Sequence, residues 1–311
     1  MPTHFISCEK FHTKWNNKLI PISRVNPGES VQIEVMDASA GQITETTTNN
    51  DLARMKPILP LTGPIFVNGA NPGNTLVVKI LEMETAHWGH TEISPGHGFL
   101  PKDFGNRQLA IWRIESDRFL HCDSIPNVRV PVRPFCGAMG VAPRISGEIP
   151  TMPPGCHGGN LDIKYLTVGS TLYLPIFNQG ALFSIGDAHL AQGDGEVCVT
   201  AVETSGLVTL EFGIKNGQIL EEPYFETETH FATTAFATTI DVACRKALKY
   251  LIQYLVSEKN LLKDSAYMLA SVAADLKVFE VVDSPHVLAG AMIPKSLFYR
   301  RDKSRTNISS K

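Results

Sequence analysis

Short alternating segments that each follow a tight turn are the feature that most constrains how this chain can fold. Residues 31–35 alternate apolar and polar side chains after the turn Asn26-Pro27-Gly28, and residues 76–80 follow a similar turn, Asn71-Pro72-Gly73. Alternation with a period of two is typical of a half-buried strand. Because 24 glycines and 20 prolines are spread along the chain, turns are expected throughout. The sequence therefore predicts a mainly β fold of stacked sheets, a β-sandwich of the jelly-roll-like kind.

The pattern changes after about residue 235. Apolar residues recur at helical spacing over residues 240–256, and Thr238 followed by Asp241 is typical of a capped first turn. A second helix is predicted from Ser265 to about Leu276, and residues 277–282 alternate like a returning strand. We therefore predict a β-rich domain over residues 1–235, a helical α+β portion packed on it over residues 236–299, and a mobile tail over residues 300–311.

Composition excludes several classes of protein. Charged residues make up 19% of the chain, hydrophobic residues 43%, and the formal net charge is −3, which gives no basic field for nucleic acid. No apolar run approaches the roughly 20 residues that span a bilayer, and the N-terminus lacks the order of a signal peptide. The six cysteines form no close pair, which indicates reduced thiols. We expect a cytoplasmic protein that binds neither nucleic acid nor membrane.

The low charge content also favours a homo-oligomer, because subunit interfaces would cover some of the many apolar residues. A single large core would account for the same composition. The sequence leaves both possibilities open.

A glycine-rich segment carries most of the side chains suited to chemistry. It reads Gly186-Asp187-Ala188-His189-Leu190-Ala191-Gln192-Gly193-Asp194-Gly195-Glu196. Apolar runs over residues 181–185 and 197–202 enclose it, which predicts strand, loop, strand. Asp187 and His189 are two residues apart, so extended backbone points them the same way, and a divalent ion such as zinc could bind both. Alternatively, Asp187 caps a turn and His189 is a hydrogen-bonded core histidine.

Three further segments place polar side chains beside glycines or at a strand end. Asn160 and Asp162 follow two glycines and could add an amide or an acid to the same pocket, or could form a turn. His97 lies between two glycines, in a loop that either reaches the site or is exposed. Asp37 ends an alternating strand, where it either enters a cleft or bends the chain.

Cys136 and Cys156 are the candidates for a thiol nucleophile. A reactive thiol needs a neighbouring group that lowers its pKa, and neither cysteine has such a partner in the surrounding sequence. A buried, inert thiol is the favoured interpretation of both residues.

The motifs together resemble those of the acetamidase/formamidase family. The resemblance rests on residues 134–143, 158–162 and 172–175, and above all on the string from Gly180 to Glu196. Asp37-Ala38-Ser39 and residues 270–283 agree in order and spacing, so it covers nearly the whole chain. It implies a metal-associated hydrolase of short aliphatic amides, formamide or acetamide, on a β-rich fold that tends to oligomerise. Relatives commonly carry other residues where Cys136 and Cys156 stand, which argues against a thiol mechanism.

An amide resists hydrolysis because resonance weakens its carbonyl as an electrophile and because its nitrogen must leave protonated. A divalent ion, expected to be zinc, would polarise the carbonyl and activate a water molecule. Glu196 is our candidate for proton transfer, Asp194 is its rival, and Asn160 could donate a hydrogen bond to the developing oxyanion. The predicted metal ligands are Asp187, His189, Asp162 and His97.

Two alternatives remain from the sequence. One is an amidase with a cysteine nucleophile. The other is a β-sandwich that binds a metal or another ligand without catalysis.

Overall fold

Strands make up most of the regular structure. The computed structural model describes residues 4–52, 58–115 and 118–298. The strands are β1 (His4–Ile6), β2 (Phe11–His12), β3 (Lys14–Trp15), β4 (Ser23–Val25), β5 (Ser30–Val35), β6 (Leu61–Val67), β7 (Thr75–Thr85), β8 (Trp88–Ile93), β9 (Gln108–Ile114), β10 (Phe119–His121), β11 (Val130–Pro131), β12 (Phe135–Gly140), β13 (Ile149–Pro150), β14 (Gly158–Asn160), β15 (Thr171–Pro175), β16 (Phe183–His189), β17 (Glu203–Thr204), β18 (Gly206–Lys215), β19 (Tyr224–Glu226), β20 (His230–Ala237), β21 (Asp275–Glu280) and β22 (Val287–Pro294). The helices are α1 (Asn49–Leu52), α2 (Ile240–Ser257), α3 (Lys263–Ala273) and a 3-10 turn, Lys295–Leu297.

The mainly β prediction is confirmed, and its jelly-roll detail stays a prediction. The predicted tail over residues 300–311 lies outside the described residues. Among the described helices, none is long and apolar enough to cross a membrane.

Two large sheets contain nearly all the strands of the described chain. The first has nine strands in the order β1-β5-β18-β7-β15-β19-β20-β22-β21. The second has eleven strands, of which eight follow the order β11-β10-β9-β8-β17-β16-β12-β14. In the same sheet β6 pairs with β16, β2 and β4.

Side chains of both large sheets meet in one buried apolar cluster. Ile33 of β5 and Phe212 of β18 come from the first sheet, and Phe183 and Ile185 of β16 come from the second. The rings of Phe183 and Phe212 meet edge to face, with 5.1 Å between their centroids. The start of β16 is therefore fixed by core packing, which holds the polar residues at its end in place.

The predicted strand over residues 197–202 is wrong. Val199 has φ of 73°, a left-handed conformation that a β-branched residue rarely adopts and that regular extended backbone lacks. Its backbone N–H donates to Glu196 O at 2.9 Å, which closes a turn instead. The returning strand is the short β17, directly after this segment.

The first C-terminal helix agrees with its prediction, and the elements after it differ in their bounds. α2 is capped by Thr239, whose hydroxyl accepts a hydrogen bond from Val242 N–H, and not by Thr238 as predicted. α3 begins two residues earlier than predicted and ends at Ala273, because Ala274 is extended at φ −106° and ψ 142°. β21 therefore begins at Asp275 rather than at residue 277.

Helix α2 packs on the outer face of the nine-stranded sheet. Phe231 and Ala235 of β20 contact Ala247 and Leu251 of α2 in a second apolar cluster, whereas Ala232 faces the main core. The C-terminal strands thus continue the same sheet, and residue 235 falls inside β20. The division of the chain into domains at that residue stays a prediction.

Replacing Leu251 by alanine is expected to lower the free energy of unfolding by about 2–5 kcal/mol, because the fully buried side chain leaves a cavity between α2 and the sheet. Val242→Ala on the same helix is the control: its side chain is exposed, so a change within about 0.5 kcal/mol is expected. Urea unfolding of both variants measures the difference. Equal effects of the two substitutions would contradict this packing.

Candidate active site

His189, the last residue of β16, lies at the centre of a buried group of acidic side chains. Its Nε2 atom is 3.2 Å from Oδ1 of Asp187 and 3.2 Å from Oε1 of Glu203. Glu203 comes from β17, which pairs with β16 so that Glu203 lies opposite His189. All three side chains are buried, and one ligand atom from each lies within 4.8 Å of the others.

A second group shares the same histidine. Asp162, His189 and Glu196 also bring one ligand atom each to within 4.8 Å of one another. Oδ1 of Asp162 is 3.9 Å from Nδ1 of His189. A carboxylate-rich group with one imidazole is a donor set that suits zinc and related divalent ions.

Gln192 fixes the orientation of the imidazole. Nδ1 of His189 is 3.1 Å from Oε1 of Gln192, which can only accept, so Nδ1 carries the hydrogen of this bond. The amide of Gln192 in turn donates to the backbone oxygen of Asp162 at 2.8 Å. Nε2 of His189 is therefore turned towards Asp187 and Glu203, as in a histidine whose other nitrogen is held for metal binding.

Several buried polar atoms of this group have no hydrogen-bond partner among the described residues. They are both carboxylate oxygens of Asp162, Oδ1 of Asp187, Nε2 of His189 and Oε2 of Glu203. Although Nε2 of His189 lies near two carboxylates, the geometry is not that of a hydrogen bond. Ligands of a tetrahedral zinc ion lie roughly 3.3 Å apart, since each is about 2.0–2.1 Å from the ion. The residues present therefore fit a divalent cation.

Burial and mutual repulsion shift the pKa values of the carboxyl groups. Burial raises the pKa of Asp187 to about 6. Burial, and then the charge of Asp187, raises the pKa of Asp162 well above its usual range. Burial lowers the pKa of His189, but Glu203 and Asp187 together raise it above its ordinary value. A bound cation would oppose this repulsion and keep the acids ionised.

Gly137 has no side chain, and the carboxyl groups of Asp162 and Asp187 occupy the space where its Cβ atom would lie. A Cβ atom there would lie 2.5 Å from Oδ1 of Asp162, 2.5 Å from Oδ2 of Asp187 and 2.9 Å from Cε1 of His189. Its carbonyl accepts hydrogen bonds from the N–H groups of Leu161 and Asp162, at 2.9 and 3.1 Å. The glycine thus both admits and positions the acidic side chains.

Three carboxylates of the group belong to residues with left-handed backbone. The φ values are 46° for Asp162, 61° for Asp187 and 45° for Glu196. In regular extended backbone, neighbouring side chains alternate between the faces of a sheet. The positive φ values break this alternation and turn the three carboxyl groups towards one place. Left-handed residues other than glycine are concentrated at functional sites.

A family model for the acetamidase/formamidase family matches residues 4–147 and 146–300. The chain belongs to this family. A formamidase from Methylophilus methylotrophus is 26% identical over 93% of this chain and 89% of its own. An acetamidase from Mycolicibacterium smegmatis is 28% identical over 66% of each chain. The crystal structure of an acetamidase from Bacillus halodurans matches with a TM-score of 0.88 and 33% identity, over 94% of this chain and 98% of that one.

The resemblance inferred from the sequence motifs is thus confirmed. As a member of the acetamidase/formamidase family, the chain is an amidohydrolase. Its mainly β structure is the one that the solved acetamidase shares.

The structure of this family member brings four of the predicted site residues together. Asp162, Asp187, His189 and Glu196 are all in the buried group around the imidazole. Asp194 is not in either three-residue group: it lies 3.2 Å from Lys164 Nζ and accepts a hydrogen bond from the Tyr165 hydroxyl at 3.0 Å.

His97 is also outside both groups. It is exposed in a turn closed by its N–H and Ser94 O, and its Nδ1 lies 3.3 Å from the backbone oxygen of Pro95. The neighbouring glycines Gly96 and Gly98 both have positive φ, so they serve the turn.

The side chain of Asn160 is engaged beside the buried group. Its Nδ2 donates to Oδ2 of Asp283 at 2.6 Å. Glu280 lies nearby in sequence, and its Oε2 accepts from the N–H groups of Val282 and Asp283. Burial raises the pKa of Glu280 to about 7 and, with the charge of Asp162, that of Asp283 well above its usual range. One N–H of the Asn160 amide, which is the predicted donor to the oxyanion, is therefore bonded to Asp283.

Glu203, His90 and Asp37 extend the buried polar group. Glu203 is not among the site residues predicted from the sequence, because residues 197–202 are interpreted there as a strand. The available signal is a carboxylate directly after an apolar run. His90 lies opposite Glu203 in the pairing of β8 with β17. Asp37 enters the interior, where its Oδ2 is 3.9 Å from Nε2 of His90, and it also bends the chain, because its Oδ1 accepts hydrogen bonds from the N–H groups of Ser39 and Gly41. Both interpretations of this residue therefore hold.

Neither candidate nucleophilic cysteine is activated. Burial raises the pKa of Cys136 to about 12 and also raises that of Cys156. A thiol with a raised pKa is protonated at neutral pH and is a poor nucleophile.

Replacing Gly137 by alanine is expected to weaken zinc binding by about 10–100-fold, the usual cost of disturbing the surroundings of metal ligands. The added methyl group would displace the carboxyl groups of Asp162 and Asp187. Gly193→Ala is the matched control, because Gly193 is exposed and has no atom within 4 Å of its added Cβ. Isothermal titration calorimetry with zinc compares the two variants. Unchanged affinity in folded Gly137→Ala protein would show that the group is not the metal site.

Proposed function

We propose that this amidohydrolase hydrolyses short aliphatic amides, formamide or acetamide, to ammonia and the carboxylate. The observation that carries the proposal is the buried group around His189, in which five oxygen and nitrogen atoms lack hydrogen-bond partners among the described residues. The names of the formamidase and acetamidase relatives support the choice of substrate.

The acidic residues and the imidazole would hold a divalent ion, which we propose to be zinc. Glu203 replaces His97 as the fourth proposed metal ligand, because Glu203 is buried and lies 3.2 Å from Nε2 of His189. The proposed ligands are Asp162, Asp187, His189 and Glu203. When bound, the ion would polarise the amide carbonyl and activate water for attack.

Glu196 is the proposed proton carrier. Its carboxyl group is buried within reach of Asp162 and His189. Burial, and then the charge of Asp162, raises the pKa of Glu196 well above its usual range, so it can hold a proton near neutral pH. A departing amide nitrogen needs such a proton. Asp194 is a weaker candidate, because it lies outside both three-residue groups and its Oδ2 already contacts Lys164 and Tyr165.

The surface of α3 supports the proposal that the protein is a homo-oligomer. Met268 and Val272, which lie four residues apart, have exposures of 64% and 81%, and Tyr267 is 59% exposed. The buried side of α3 is formed by the small residues Ala266 and Ala270. An apolar stripe of this kind fits an interface between subunits. A cytoplasmic location, with reduced cysteines, remains part of the proposal.

Removal of divalent metal is expected to abolish ammonia release from formamide and acetamide, and zinc is expected to restore it. The reason is that the carbonyl and the attacking water would lose their activating ion. An ammonia assay on chelator-treated and reconstituted protein makes the measurement. Cys136→Ala protein should keep its activity, which separates this mechanism from a thiol nucleophile. Full activity in metal-free protein would refute the metal mechanism, and no ammonia from any metal-loaded sample would favour a binding protein.

Glu196→Gln is expected to keep the fold and the zinc content but to lower turnover by roughly 10²–10⁴-fold, the usual span for lost acid–base assistance. Asp194→Asn is the control and should retain most of its turnover, because the Asp194 carboxylate lies outside the buried group. Steady-state kinetics with acetamide compares the two. A large loss in Asp194→Asn alone would assign the proton transfer to the other carboxylate.

A further inference from the structure

A cavity of about 320 Å³ lies beside the candidate metal group. His90 and Glu203 form its inner end, and Ile43 and Leu59 are among the apolar side chains of its wall. Arg107, which is exposed, lies at its mouth. Small-molecule pockets in proteins are typically about 300–1,000 Å³, mostly apolar, with a few polar groups that fix the orientation of the ligand. This cavity has those properties.

The inner end carries unused hydrogen-bonding capacity. His90 is 2% exposed, and neither of its ring nitrogens has a hydrogen-bond partner among the described residues. Oε2 of Glu203 also has no hydrogen-bond partner among the described residues. Oε1 of Glu203 lies 3.2 Å from Nε2 of His189. Buried polar groups nearly always have a partner, so the two side chains point to a polar ligand at this end.

The apolar wall is fixed in shape by the backbone around it. Leu59 has φ of 43° and Val199 has φ of 73°, and both line the cavity. The N–H of Leu59 donates to the backbone oxygen of Ala38 at 3.1 Å, which joins two parts of the wall. Left-handed residues of this kind persist only where the surrounding structure holds them, and they are concentrated at ligand sites.

We propose that the acyl chain of the amide substrate lies in this cavity, with the amide group at His90 and Glu203 and the hydrocarbon along Ile43 and Leu59. The inference rests on the proposed amide hydrolysis and extends it. The cavity accommodates acyl chains longer than the acetyl group. Ala38, whose small side chain lines the same wall, is a specificity-determining residue that leaves room for the added methylene groups.

The test compares a variant that fills the cavity with one that enlarges it. Ala38→Leu is expected to lower kcat/KM for butyramide about 10-fold or more relative to formamide, because one methylene in an apolar pocket changes kcat/KM by roughly 10–200-fold. Ile43→Ala is expected to raise the ratio of kcat/KM for hexanamide to that for formamide. Ile293→Ala is the matched control: Ile293 is equally buried, but it lies under α2 and away from the cavity. In Ile293→Ala protein, the ratios of kcat/KM for the longer amides to that for formamide should equal those of the unmodified protein.

A second readout does not depend on turnover. Calorimetric titration of metal-free protein with butyramide is expected to show binding that Ala38→Leu weakens and Ile293→Ala leaves unchanged. Unchanged acyl-length ratios in an active Ala38→Leu variant, or butyramide affinity that Ala38→Leu does not alter, would overturn the assignment of the cavity. Failure of the proposed function is distinguishable, because zinc-loaded unmodified protein would then release no ammonia from formamide.

Discussion

Four carboxylates surround one buried imidazole, and their mutual repulsion is the constraint on which the rest of the site depends. Asp162, Asp187, Glu196 and Glu203 are all buried. Two unit charges about 4 Å apart interact by about 4 kcal/mol at an effective dielectric of 20. Such a group is stable only if protons or a cation offset the charge. The raised pKa values of Asp162, Asp187 and Glu196 describe the first solution, and a divalent ion would provide the second.

Apolar packing around the acidic group holds its central histidine in place. Phe183 and Ile185 fix β16 in the core, so His189 at its end has little freedom. Phe135 adds an edge-to-face ring contact to the imidazole, with 5.0 Å between centroids. Gln192 holds the remaining ring nitrogen. These contacts therefore restrain the imidazole, and preorganised polar groups are what electrostatic catalysis needs.

Buried polar side chains near the site differ in how completely they are hydrogen-bonded. Asn160 and Glu280 each have one side-chain atom in a hydrogen bond, whereas Oδ1 of Asn160 and Oε1 of Glu280 have no partner among the described residues. Asp162 and His90, in contrast, are buried with side-chain atoms that have no such partner in the described chain. Asp162 and His90 thus have both hydrogen-bonding atoms of the side chain available to a ligand, and Asn160 and Glu280 have one each.

The sequence alone determined the kind of fold, the long helix and the family. Alternation and turns are local properties, so the mainly β character and the helix over residues 240–256 could be predicted from short windows. The string from Gly186 to Glu196 has enough fixed positions to identify the family and to include Asp187, His189 and Glu196. Asp187 and His189 are two residues apart on one strand, whereas the position of Glu196 also depends on a distant segment, because Gly195 N–H donates to Phe279 O at 2.8 Å.

Only the tertiary structure decided which distant residues complete the site. Glu203 reaches His189 through strand pairing, and His90 reaches Glu203 through the next pair, neither of which a short window of sequence contains. His97 lies outside both three-residue groups, in a turn that its glycines form, and it lines the neighbouring cavity. The left-handed φ of Val199, which makes the apolar run a turn, is not indicated by the apolar pattern of residues 197–202. Pairing and burial are properties of the whole chain, so local patterns could not supply them.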